Sequence, residues 1–256
     1  ANIIPITDKE EVKAIVGVKS LQESNLFLVL VTQSGSIKRV ALQQISKIRK
    51  SGLIIMNLKS GDELVTASLC NDEDDLIIVT EQGMSIRFPA SDVKPRLRAA
   101  GGVRAMMLST KPKKDKIVAM DIVVPDSKLL VIGKRGYGKL TDLNRYRRQG
   151  RGGSGIKTLT ITKKTGSLAA AEVIADSDQV YVVSRKAQVI RTNLSEFRST
   201  GRATQGVTIF KLPEDYDVSG IECVGDFHVP KELNEMPELQ SGKPKKKSSN
   251  GSNPAN

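Results

Sequence analysis

The glycine-rich stretch from Arg147 to Thr158, RRQGRGGSGIKT, contains the residue types of a phosphate-binding loop. A Walker loop requires its second glycine to be followed directly by Lys and then Ser or Thr, at the start of a helix, so that the lysine reaches the phosphates. Here Ile156 separates Gly155 from Lys157. The residues that follow are rich in Thr and Ile and alternate in character, as a strand does. The stretch therefore does not predict a nucleotide-binding loop.

Side chains for nucleophilic or metal chemistry are few and isolated. Cys70 and Cys223 are the only cysteines and have no CxxC spacing, and His228 is the only histidine. This set predicts neither a disulfide framework nor a metal site, and it fits a reducing compartment. We expect no cofactor and no catalysis by this chain. No apolar run approaches the roughly 18 residues of a membrane span, so we expect no membrane partner and a cytoplasmic location.

Positive charge is the dominant chemical feature of the sequence. The 256 residues carry 40 Lys and Arg against 28 Asp and Glu, a formal charge of +12. Such a surplus favours a polyanionic partner, above all nucleic acid; the alternative is a basic surface kept for solubility. The cations that are candidates for binding concentrate in a few connections: Lys47, Arg49 and Lys50; Lys94, Arg96, Arg98 and Arg104; Arg145, Arg147, Arg148 and Arg151; and Arg198 and Arg202.

A repeat of about fifty residues positions these connections. Four apolar, mostly β-branched runs each lead into a polar turn and a strand with a basic residue, and their turn positions Gly35, Gly83, Gly136 and Ala187 are 48, 53 and 51 residues apart. Each repeat continues through a basic connection, a third apolar strand, a turn and a last strand. A four-stranded unit of this size must stack on its neighbours, and radial repetition of such sheets is a propeller. We therefore predict an all-β propeller.

The repeat also sets the expected domain boundaries. We expect complete blades at residues 25–73, 74–126, 127–176 and 177–227. Residues 1–24 match only the second half of a blade, and residues 228–256 have the polar, Pro- and Ser-rich composition of a disordered tail. The run from Lys243 to Lys247 in that tail is either an extra nucleic-acid contact or a solvated segment.

Equivalent loops of a propeller lie at equivalent places on its rim, so the repeated cations predict a positive belt around the disc. Duplex DNA bent around the perimeter and held through its phosphates fits such a belt, and single strands fit less well because the loops contain few aromatic residues to stack bases. Within the loop Gln149–Gly155, glycines at 150, 152, 153 and 155 would let backbone N–H groups approach a phosphate and adopt positive φ. The alternative is a flexible connector without a ligand.

The seven residues Gln149, Gly150, Arg151, Gly152, Gly153, Ser154 and Gly155 resemble the gyrase box, Gln-Arg-Arg-Gly-Gly-Lys-Gly, of the C-terminal DNA-wrapping domain of DNA gyrase A, and five of the seven agree. The stretches SGDELVTASL, GYGKLT and GRATQGVTIFKL are also similar to that family. The resemblance implies a six-bladed β-pinwheel, a propeller variant with strands exchanged between blades, that wraps DNA around a basic rim and supports ATP-dependent negative supercoiling.

The resemblance also implies partners and leaves alternatives. It implies duplex DNA, the remainder of the gyrase A protein and the gyrase B protein as partners, a nucleoid-associated location, and catalytic and ATP sites that lie outside this chain. Gly150 and Ser154 replace an Arg and a Lys of the box, and this box falls in the third complete repeat rather than in the family's first blade. An N-terminally truncated ring with an auxiliary box is therefore expected. The corresponding domain of topoisomerase IV, or a propeller that binds proteins, are the alternatives.

Overall fold

The structure is a computed structural model that describes residues 10–22, 25–48, 52–111, 113–175, 177–213 and 216–224. The chain divides into two units, Ala1–Gly225 and Asp226–Asn256, and all described residues belong to the first. Two of the predicted DNA contacts, Arg49 and Lys50, lie outside the described residues, as does the predicted tail 228–256.

Apart from short 3₁₀ helices, the regular structure in these ranges consists of β-strands, as predicted. The 3₁₀ helices are Leu42–Ile45, Ala90–Asp92, Leu143–Arg145 and Leu194–Glu196. The strands are β1 (Phe27–Thr32), β2 (Ser36–Ala41), β3 (Leu64–Cys70), β4 (Asp75–Thr80), β5 (Met84–Pro89), β6 (Val103–Arg104), β7 (Ile117–Ile122), β8 (Lys128–Gly133), β9 (Tyr137–Asp142), β10 (Ile156–Lys157), β11 (Leu168–Ile174), β12 (Gln179–Ser184), β13 (Val189–Asn193), β14 (Val207–Thr208) and β15 (Val218–Val224).

Each repeat begins with a hairpin, and the predicted turn positions are confirmed. Gly35, Gly83, Gly136 and Ala187 all adopt positive φ, at 86°, 77°, 77° and 58°. A tight turn between antiparallel strands needs this conformation, which glycine adopts without steric cost. Ala187 is the one turn position of the four at which a residue with a side chain adopts positive φ.

The described strands form four small sheets, with orders β3-β1-β2-β6, β7-β4-β5-β10, β11-β8-β9-β14 and β15-β12-β13. In the first three sheets, the short strand at the outer edge belongs to the following repeat: β6 pairs with β2, β10 with β5 and β14 with β9. This confirms the strand exchange that the resemblance implied. Each of these sheets contains strands from two sequence repeats. The predicted boundaries therefore describe the repeats and not the individual sheets, and they stay a prediction.

Two predicted strand regions are not strands. The apolar run 53–58 forms no strand, and neither do the described residues 10–22. In the later repeats, the strand equivalent to 53–58 pairs with the preceding repeat's sheet, and no such sheet exists among the described residues ahead of it. Without that partner, the backbone groups of 53–58 have no ladder to join.

The hairpin strands explain the continuous apolar runs. All residues of β4 are buried. Leu76 and Ile78 pack in a core with Val29 and Val31 of the preceding sheet, whereas Ile77 and Val79 pack with strand β8 of the following sheet. Both faces of the strand are covered, so both sets of alternate positions are apolar. Each fully buried aliphatic side chain contributes about 2 kcal/mol of hydrophobic stabilisation.

The last strand of each sheet is its innermost one. β3 packs on β7, β7 on β11 and β11 on β15, and these strands line a cavity of about 830 Å³ together with residues 12–15. The first hairpin strand of each repeat pairs with this innermost strand and thus lies one strand farther out. The four sheets form a propeller-like ring, and the outer edge of each is available to the basic loops.

Candidate nucleic-acid interface

Three basic loops occupy equivalent positions on successive sheets. We call residues 94–102, 147–155 and 198–206 loops 2, 3 and 4, after the repeat that supplies them. Each follows a 3₁₀ helix and runs along the second hairpin strand of the preceding repeat, which is β2, β5 or β9. The anchoring hydrogen bonds correspond: Arg96 N–H donates to Arg39 O (2.9 Å), Gln149 N–H to Arg87 O (2.8 Å) and Thr200 N–H to Leu140 O (2.9 Å). The loops can therefore be aligned residue by residue.

The alignment explains the last glycine of each loop. Gly102, Gly155 and Gly206 lie against carbonyl oxygens of β2, β5 and β9, respectively, and a Cβ at Gly155 would be 2.2 Å from Ser85 O. The sequence assigned Gly155 to a close approach to phosphate, but its observed contact is with the protein's own backbone. Positive φ, which all four glycines of the box can adopt, occurs at Gly152 and Gly155 and not at Gly150 or Gly153.

The alignment also places one cation per loop at the same exposed position. Lys94, Arg147 and Arg198 correspond and are exposed. Among the described residues, none of the three has a carboxylate within 4.0 Å. The other exposed cations predicted for these connections are Lys47, Arg96, Arg98, Arg104, Arg145 and Arg148.

A second corresponding position links loops 3 and 4 to the exchanged strand of the preceding repeat. Arg151 and Arg202 are half-buried. Arg151 Nη1 donates to Arg104 O, and Arg202 Nη1 donates to Lys157 O at 3.2 Å. Arg104 and Lys157 in turn correspond, each being the second residue of a short exchanged strand. These arginines therefore connect loops 3 and 4 to the strand that follows the preceding loop, in addition to contributing charge.

Two of the predicted cations form ion pairs. Arg148 is bonded to Asp75 at 2.8 Å, and Asp75 also accepts from Arg87 Nε at 2.8 Å. Since the Asp75 side chain is only 9% exposed, this pairing holds the start of loop 3 against sheet β7-β4-β5-β10. Arg145 lies 3.7 Å from Asp142 at the surface, a pair that contributes little.

The seven-residue box is partly embedded. Gln149 is half-buried and its Nε2 has no hydrogen-bond partner among the described residues, whereas Gly150, Gly153 and Ser154 are exposed. Gly152 N–H donates to Ala105 O (2.7 Å), and Gly153 O accepts from Met107 N–H (2.9 Å). The box thus bridges its own repeat and the preceding one, which brings Arg104 and Arg151 together.

Sequence reasoning missed three kinds of basic residue. Lys157 is exposed at the position equivalent to Arg104, and aligning the third strands would have found it. Lys38 and Lys139 are completely buried. Further exposed cations, including Lys111, Lys114 and Lys164, lie in the turns that precede the last strands, so positive charge is not confined to the loops.

The profile of the family described as "DNA gyrase C-terminal domain, beta-propeller" matches four segments of the chain, residues 27–71, 74–123, 127–175 and 178–224. These segments cover most of its length. The chain belongs to this family. Within the described residues, no helix is long and apolar enough to cross a bilayer.

Relatives and solved structures agree with this assignment. DNA gyrase A of Mycolicibacterium smegmatis is 38% identical over 216 residues, 84% of this chain and 25% of that protein. DNA gyrase A of Staphylococcus aureus is 34% identical over 225 residues, 87% of this chain and 25% of that protein. The chain therefore spans about a quarter of these relatives.

A solved DNA gyrase A C-terminal domain has a TM-score of 0.75 at 25% identity, covering 86% of this chain and 72% of that one. A C-terminal domain of DNA topoisomerase IV has a TM-score of 0.80 at 26% identity, covering 87% and 69%. The likeness of fold does not separate these two kinds of domain.

Proposed function

We propose that this chain is a non-catalytic module that binds duplex DNA and bends it around its outer edge, with loops 2, 3 and 4 as the contact surface. The observation that carries the proposal is an exposed cation, without a carboxylate partner in the described part of the chain, at one aligned position of all three loops: Lys94, Arg147 and Arg198. Cations repeated at one position along successive sheets suit a phosphate backbone that passes each sheet in turn.

The remaining predicted contacts extend this surface. Arg96, Arg98, Arg104, Arg145 and Arg202 belong to the same connections, and Gln149–Gly155 form the part of loop 3 that the resemblance singles out. Lys47 is exposed and, with Arg49 and Lys50, would supply the first repeat's contribution. Bending a site of 20 to 30 base pairs costs about 1–6 kcal/mol. Release of counterions from several phosphates can offset that cost.

The parent protein is proposed to be part of an ATP-dependent type IIA topoisomerase, with gyrase A as the first candidate. The gyrase A relatives and the five matching positions of the box support gyrase. The partners would then be DNA, the remainder of the gyrase A protein and the gyrase B protein, in the cytoplasm at the nucleoid. The corresponding protein of topoisomerase IV is the second candidate, since its C-terminal domain has the TM-score of 0.80.

Two experiments test the proposal. Ligating short linear duplexes into circles in the presence of the purified chain measures whether it bends DNA and fixes writhe. A yield and linking-number distribution equal to those of free DNA would contradict wrapping. Supercoiling by the reconstituted parent enzyme, with and without this chain, then separates the candidates: gyrase requires the chain to introduce negative supercoils, whereas a topoisomerase IV parent relaxes DNA without introducing them.

A further inference from the structure

Two lysines without any solvent exposure lie directly beneath the basic loops. Lys38 is in β2, and its Nζ donates to three backbone carbonyls: Ile55 O at 2.7 Å, Arg98 O at 2.6 Å and Ala100 O at 2.6 Å. Two of these three acceptors belong to loop 2. The backbone of the loop therefore supplies most of the coordination of a buried ammonium group.

Lys139 repeats this arrangement two repeats later. It occupies the same position in β9, and its Nζ donates to Gly201 O at 2.6 Å, Arg202 O at 2.5 Å and Thr204 Oγ1 at 3.1 Å. All three acceptors belong to loop 4. Arg202 and Thr204 align with Arg98 and Ala100, so the two lysines hold the same part of two loops.

Neither ammonium group has an acidic partner in the described part of the chain. No carboxylate there lies within 4.0 Å of Lys38 or Lys139. Burying a charge is costly unless hydrogen bonds replace its hydration. Here the loop oxygens take the place of the hydrating water. The same charge-assisted hydrogen bonds hold the loops, and they are stronger than bonds between neutral groups.

The intervening sheet shows that the fold does not require a lysine at this position. Ile86 of β5 is the equivalent residue and is also completely buried. Its Cδ1 would lie 3.8 Å from a Cβ placed on Gly153 in loop 3, so an apolar side chain fits beneath a loop. Loop 3 is anchored instead through the pair of Arg148 and Asp75.

We propose that Lys38 and Lys139 are positioning residues that fix the backbones of loops 2 and 4 in the conformation that binds DNA. Carbonyl oxygens that face the buried ammonium are turned away from the phosphates, while Lys94, Arg96 and Arg98 of loop 2 and Arg198 of loop 4 remain exposed. The effect on DNA binding rests on the proposed function of the loops, but the claim that the two lysines hold the loop backbones does not.

The test combines loop order in the DNA-free protein with DNA affinity, using Lys139→Met in the full chain. Amide exchange should speed up by about tenfold at residues 198–206 and remain unchanged in β8. The dissociation constant for a duplex should rise about fivefold, the effect of losing roughly one net hydrogen bond. Ile86→Met, an apolar exchange at the equivalent position, should change neither quantity. Thr204→Val removes one acceptor and should shift both quantities less, which keeps the test valid if Lys139→Met misfolds.

Unchanged exchange at residues 198–206 in Lys139→Met would overturn the proposal. Faster exchange without weaker DNA binding would also overturn it, provided that Arg198→Ala does weaken binding. If Arg198→Ala and Arg147→Ala leave binding unchanged, it is the proposed function of the loops that fails. The exchange data then still decide whether Lys139 holds loop 4.

Discussion

Replacing Gly155 by alanine tests how loop 3 is packed. Gly155 has a φ of +72°, and a Cβ there would meet Ser85 O at 2.2 Å, Met106 Cε at 2.7 Å and Ser85 C at 2.9 Å. The left-handed conformation costs an alanine about 1–2 kcal/mol, and forcing an atom against a fixed backbone costs about 1–3 kcal/mol more. We expect Gly155→Ala to reduce the free energy of unfolding by about 2–5 kcal/mol in all.

Gly150→Ala is the matched control, because nothing lies within 4 Å of its Cβ position and its φ is not in the left-handed range. Urea unfolding measures the stability of both variants, and amide exchange in β5 shows whether the damage begins where the loop contacts that strand. We expect Gly150→Ala to lie within about 0.5 kcal/mol of the parent. If Gly155→Ala were equally stable, the packing of Gly155 on Ser85 would be wrong.

Three further predictions concern buried and strained groups. Burial is the largest of the effects that raise the pKa of Glu172 to about 7; because this exceeds the unfolded value, its contribution to stability is present below about pH 4.5 and is lost as pH rises through 7. In Glu172→Gln, the amide oxygen can still accept from Cys223 N–H. The free energy of unfolding of this variant at pH 8 should be about 1–3 kcal/mol larger than that of the parent, and equal stability would contradict this. Ala187→Gly should gain up to about 1 kcal/mol, since it relieves a positive φ of 58°, and a lower melting temperature would refute that reasoning. Burial is the larger cause and Arg202 the smaller cause of the lowered pKa of Lys139, which is about 8. Duplex affinity should therefore fall more steeply between pH 7 and 9 in the parent than in Lys139→Met, which keeps Lys38, as fluorescence anisotropy would show.

The repeated hairpins could be predicted from the sequence because their signals are local. An apolar run, a turn residue and a second strand occur together in each repeat, and the positive φ at Gly35, Gly83 and Gly136 follows from chemistry within four residues. The exchange of the third strand could not be derived in this way. The runs 103–108 (VRAMML) and 53–58 (LIIMNL) are both apolar segments that follow a glycine, yet only the former pairs with a strand, through β6.

The basic loops were predictable as sequence features, but the roles of individual residues within them were not. The sequence predicts a ligand contact at Gly155, but it does not show that Gly155 also packs against Ser85, seventy positions away. Lys139 reads as one more surface cation, since a strand pattern does not show that three oxygens of loop 4 will cover it. Both roles depend on the register between repeats, which the tertiary structure sets.

The salt dependence of duplex binding tests the central claim most directly. The variant Lys94→Ala/Arg147→Ala/Arg198→Ala removes the aligned cation from each loop, and Lys111→Ala/Lys114→Ala/Lys164→Ala removes three exposed cations from turns outside the loops. If the loops hold the phosphates, the slope of log K against log salt should become shallower by up to about 2.7 in the loop variant. It should stay within experimental error of the parent in the turn variant. Equal slopes for the two variants, or a larger change in the turn variant, would contradict the account.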